Sequence, residues 1–114
     1  MKIRYVTLLA ALGVLMAAPA YADPISGLVH ADGTVEVASS LYTVTQIREG
    51  RYLITFTNPM TPQANCIVTP LSHRNPNIYV SNIRETATSC DILTGDNGRR
   101  ANTDFTFIAT PMSN

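Results

Sequence analysis

Two histidines and eight carboxylates, with several serines beside them, are the side chains of this 114-residue sequence that could move protons or attack a substrate. His30 and Asp32 stand two residues apart; imidazole titrates near neutrality and a carboxylate can orient it for acid–base work. Asp32 also precedes Gly33, however, and Asp-Gly is the signature of a hairpin turn, which is the simpler expectation. His73 can be combined with Asp104 and with Ser72 or Ser81 to imitate a hydrolytic triad. No Gly-x-Ser-x-Gly elbow accompanies them, and a triad is defined by geometry rather than by composition. Glu36, Glu49, Glu85, Asp91 and Asp104 offer carboxylate pairs of the kind glycoside hydrolysis uses, as would any short chain with this many acids. Asp91, Asp96 and Asn97 carry oxygens suited to calcium, but their spacing departs from the twelve-residue loop and no glutamate closes it, so an Asx-rich surface turn is expected. Tyr42, Tyr52 and Tyr79 could stack on sugar rings; tyrosines in alternating strands more often fill a core with their hydroxyls at its rim. The expected catalytic set is therefore empty, and no cofactor is expected.

Cys66 and Cys90 are the only cysteines. Neither histidine lies within a few residues of either, so the short spacings of a zinc site are missing and no metal is expected. In an oxidising compartment a lone pair is expected to be bridged.

The elements that must position these residues are strands. Arg51 to Thr57 alternates so that Tyr52, Ile54 and Phe56 share one face, and Leu41 to Ile47 alternates Tyr42 and Val44 against Thr43 and Thr45; a period of two marks a half-buried strand. Further strands are expected at Gly27 to His30, Thr34 to Val37, Asn65 to Thr69, Ile78 to Ile83, Thr88 to Leu93 and Thr103 to Ala109, the last with Phe105, Phe107 and Ala109 on one face. Asp32-Gly33, Glu49-Gly50 and Asp96-Asn97-Gly98 are turn signals, and Pro59 to Pro62 is a stiffer connection. About eight short strands with no intervening helix predict an all-β chain, an antiparallel β-sandwich or jelly roll with one disulfide. The stretch His73-Arg74-Asn75-Pro76-Asn77 is the most loop-like. With Tyr79 beside it, it makes His73, Arg74, Asn75, Asn77 and Tyr79 the expected binding residues, because loops carry function more often than strands do.

The first 22 residues read as a secretory leader: Lys2 and Arg4, then an apolar run from Val6 to Met16, then small residues before a cut expected after Ala22. The run is well short of the ~20 residues a bilayer-crossing helix needs, so no membrane span is expected in the mature form. Residues 23–114 are expected to make a single β-sandwich domain. Six arginines and eight acids remain in it, a net charge of −2, which argues against nucleic acid as a partner. Arg99-Arg100 is expected to be a pair of solvated turn charges.

The succession Gly27-Leu28-Val29, Asp32-Gly33-Thr34-Val35, Leu41-Tyr42-Thr43-Val44, Gly50-Arg51-Tyr52-Leu53-Ile54-Thr55-Phe56, Cys66-Ile67-Val68-Thr69-Pro70 and Asp104-Phe105-Thr106-Phe107-Ile108-Ala109 resembles the small β-sandwich domains at the C-terminal ends of phage tail-fibre and collagen-like surface proteins. The resemblance implies a non-enzymatic recognition or trimer-capping module. The expectation is thus a secreted or periplasmic binding or structural module, adhesin-like or part of a surface assembly, with a cell-surface glycan or protein as partner and a homo-oligomer, a trimer, as its state. The alternative is a small secreted hydrolase or lyase acting on polysaccharide or ester through His30 or His73. A secreted inhibitor presenting Ser72 to Asn77 is a third class.

Overall fold

The structure, a computed structural model, describes residues 23–71 and 75–112; the expected leader, Ser72, His73 and Arg74 lie outside them. The described residues form eight strands and no helix: β1 (Ile25–Val29), β2 (Tyr42–Arg48), β3 (Arg51–Phe56), β4 (Ala64–Pro70), β5 (Ile78–Glu85), β6 (Ser89–Asp96), β7 (Arg99–Arg100) and β8 (Phe105–Pro111). They make two antiparallel sheets, one of three strands in the order β1-β8-β4 and one of five in the order β2-β3-β6-β5, with the short β7 also on β6. The expected sandwich is what forms.

The alternation seen in the sequence becomes the core. Tyr52, Ile54 and Phe56 from β3, Cys90 and Ile92 from β6, and Phe105, Phe107 and Ala109 from β8 are buried together with Val29, Tyr42 and Ala64. Tyr42 meets Phe107 edge-on with ring centroids 5.0 Å apart, and Tyr52 meets Phe105 at 5.2 Å, the geometry that aromatic quadrupoles favour. Phe105 and Phe107 thus face a closed core, not an open groove.

The disulfide joins Cys66 on β4 to Cys90 on β6, so sulfur ties one sheet to the other. Beside it the two sheets are stitched by side chains. The Cys66 N–H donates to Glu85 Oε2 at 2.7 Å, and Asn82 Nδ2 donates to the Cys66 carbonyl at 3.2 Å. A bulge between Asn82 and Arg84 lets Asn82 and Glu85 both reach β4 from an eight-residue strand, since an extra residue re-aims the side chains that follow it.

Two elements differ from expectation. Thr34 to Val37 is not a strand: after the Asp32-Gly33 turn the chain makes one bridge, Val35 to Val29, through two bonds, His30 N–H to Thr34 C=O and Glu36 N–H to Leu28 C=O. It must then cross to the other sheet to begin β2, which leaves Val37 73% exposed. The eighth strand is instead β7, whose two residues follow the Asn97-Gly98 turn. Both turn residues have positive φ, 54° and 83°, the pattern of the hairpin turn whose twist matches that of its strands.

Candidate functional site

Of the residues singled out for acid–base chemistry, Asp32, Glu85 and Asp104 accept backbone N–H groups, while His30 and Asp91 pair with other side chains. His30 Nε2 lies 2.6 Å from Glu36 Oε1, so its partner is Glu36 and not Asp32. Asp32 instead accepts from the Thr34 N–H at 2.9 Å and from the Thr34 hydroxyl at 2.6 Å. These bonds, the hydroxyl first, hold its carboxyl below the ordinary aspartate value, because hydrogen bonds to the charged form favour it. The reason is local: a turn-closing aspartate finds its own chain two residues on before any side chain can reach it.

Asp104 accepts from the Ala31 N–H at 2.7 Å. Glu85 serves Cys66, as described, and Asp91 is engaged by Arg51 through two bonds, Nε to Oδ1 at 3.2 Å and Nη2 to Oδ2 at 2.7 Å. Glu49 sits exposed in the β2–β3 turn. Ser81 is an exposed residue of β5 while Asp104 lies in the segment before β8. Of the three calcium candidates, Asp91 is paired with Arg51, Asp96 Oδ1 accepts from Asn75 Nδ2 at 3.1 Å, and Asn97 is in the turn. Among the described residues no group of three or more His, Cys, Asp or Glu is placed to hold a metal ion.

The tyrosines divide. Tyr42 and Tyr52 belong to the core, where burial raises both hydroxyls above the usual value of 10.0. The Tyr52 hydroxyl reaches the rim and donates to the Ala31 carbonyl at 2.7 Å. Tyr79 alone of the three turns outward. Its ring lies over Gly95, its cross-strand partner, and Cζ and Oη occupy the space where a Cβ would stand on any other residue. Near it, the described part of the expected binding loop is fastened to the rest: Asn75 Oδ1 accepts from the Asn77 N–H at 2.9 Å, and the Asn77 carbonyl accepts from the Asn97 N–H at 3.1 Å.

The signal that sequence reading missed lies on the outer faces of the sheets. Strands β1, β4 and β8 read ISGLV, ANCIVTP and FTFIATP: the three-stranded sheet contains no ionisable side chain apart from the bridged cysteine. Ile67 and Ile108 are direct cross-strand partners on its outer face, 61% and 48% exposed, with Ser26 in the same row and Thr106 opposite Thr69 in the next. The charges of the strands all sit in the other sheet. On its outer face Arg48 is opposite Arg51, Arg84 is opposite Asp91, and Arg100 is opposite Gly95, on the far side of that glycine from Tyr79. Residues directly opposite across a ladder share a face, so four arginines stand there against one carboxylate. Comparison with protein-family models, with curated proteins and with solved structures finds no match.

Proposed function

We propose that the chain is an exported, non-enzymatic binding or structural module that associates with copies of itself through the three-stranded sheet. The observation that carries this reading is the ionisable-free outer face of β1-β8-β4 with Ile67 and Ile108 exposed side by side. Contiguous exposed apolar surface marks a contact surface, and a face without charge meets a second copy of itself with no like charges to oppose and none to desolvate. The resemblance to tail-fibre and collagen-like surface domains makes a trimer the expected state. The basic, apolar and small-residue order of residues 1–22 supports export, and a disulfide bridging two sheets suits an oxidising compartment.

Light scattering on the purified protein tests the association. The expected result is a mass that is a multiple of the monomer's and falls to the monomer in Ile67→Lys and in Ile108→Lys. A wild-type protein that stays monomeric at tens of micromolar and binds no cell surface in a screen would sink the reading.

A further inference from the structure

The five-stranded sheet carries on its outer face a grouping that turn and core requirements do not explain. Arg48, Arg51, Arg84 and Arg100 are four of the six arginines in residues 23–114, and the carboxylate among them is Asp91. This face is therefore net positive on a chain segment whose net charge is −2. Arg51 is engaged by Asp91, whereas Arg48 and Arg100 are exposed and form no ion pair among the described residues. Strand β7 continues beyond β3 along the same edge of β6: the Thr94 N–H donates to the Gly50 carbonyl and the Ala101 N–H donates to the Thr94 carbonyl. That end-to-end meeting brings Arg100 up to the Arg48–Arg51 pair. On the other side of Gly95 the Tyr79 ring is laid over the strand with its hydroxyl end above that glycine, whose other cross-strand partner is Arg100.

We propose that this face is a binding site for an anionic polysaccharide, with the Tyr79 ring as the platform under one pyranose and Arg100 and Arg48 as the partners of carboxylates on neighbouring units. A sugar ring presents an apolar C–H face that an aromatic ring accepts, and a guanidinium matches a carboxylate bidentately. A sheet face with one outward aromatic suits an extended polymer lying across strands. A single-stranded nucleic acid is the poorer fit, because such sites stack successive bases on several aromatics within a basic groove. The inference names a ligand class for the binding reading given above, and it stands on the opposite side of the sandwich from the association surface. The two can fail separately.

Affinity electrophoresis of the purified protein through gels containing polygalacturonate, dextran or an oligothymidylate tests it. Retardation by polygalacturonate and not by dextran is expected, weakening as sodium chloride is raised. The double variant Arg48→Gln/Arg100→Gln, at exposed positions, is expected to weaken it by roughly tenfold or more, because two charge-assisted pairings are lost. Tyr79→Phe keeps the platform and is expected to retain binding, whereas Tyr79→Ala loses about threefold to tenfold. Retardation no greater in polygalacturonate than in dextran overturns the proposal, as does undiminished binding in the arginine double variant or tighter binding to the oligothymidylate. Light scattering on the same samples shows whether self-association survives each of these results.

Discussion

The two outer faces of this sandwich are built on the same kind of inner face and differ in charge. Beneath both lie aromatic and aliphatic side chains at alternate strand positions: Tyr52, Ile54 and Ile92 under one, Phe105, Phe107 and Ala109 under the other. Above the three-stranded sheet there are isoleucines and hydroxyls without a charge; above the five-stranded sheet arginines, one aspartate and a tyrosine stand among Leu53, Leu93 and hydroxyl residues. Folding requires only that alternate residues be apolar, and either outer face could take charge at no cost to the core. The segregation is therefore not imposed by the core, and the two proposed surfaces rest on it.

That contrast can be broken most forcefully from below. Phe107 lies in β8 and packs edge-on against Tyr42 of the opposite sheet, so Phe107→Ala is expected to cost about 3–5 kcal/mol in denaturant unfolding. A loss under about 1 kcal/mol would mean that the three-stranded sheet is not seated on its partner. Severing the covalent tie should come next. Cys66→Ala opens a loop with a sequence separation of 24, and the loop-entropy model puts the loss at roughly 3–4 kcal/mol; mass spectrometry of the non-reduced wild type should show no free thiol.

A smaller effect separates the faces directly. Gly95→Ala forces the Tyr79 ring off the strand, with an expected cost of at most about 1 kcal/mol because the half-buried ring can swing outward, and it should disturb polysaccharide retardation while leaving the oligomeric mass unchanged. The smallest effect is read by alkaline titration. Burial raises the Tyr42 and Tyr52 hydroxyls above 10.0 in the folded state, so their contribution to stability is whole below pH 10 and is lost as pH rises through the folded values. Ultraviolet titration should show phenolates appearing late, and a Tyr52→Phe variant should lose part of that delayed step.

Strands with a period of two were legible in the sequence because alternation is a local property: Tyr52, Ile54 and Phe56, or Phe105, Phe107 and Ala109, declare their face within one short run. Turn chemistry was legible for the same reason, as Asp32 bonding Thr34 shows. The partner of His30 was not, because Glu36 returns to it only after the chain has doubled back through that turn. The outer faces were less legible still. The ionisable-free sheet is assembled from the first, fourth and last strands, and Arg84 and Arg100 join the Arg48–Arg51 hairpin pair on one face only through the strand order β2-β3-β6-β5 and the pairing of β7. Pairings between distant segments are a property of topology, which no single run of residues displays.

The pairing of β1 with β8 has a mechanical consequence. Ile25 is opposite Ala109, so the chain enters and leaves the sandwich at the same end, and tension applied to its two termini would load these strands as a zipper, one rung at a time, rather than in shear. Peeling from that end would spread until it met the Cys66–Cys90 bridge, where the intervening loop is closed to any further lengthening.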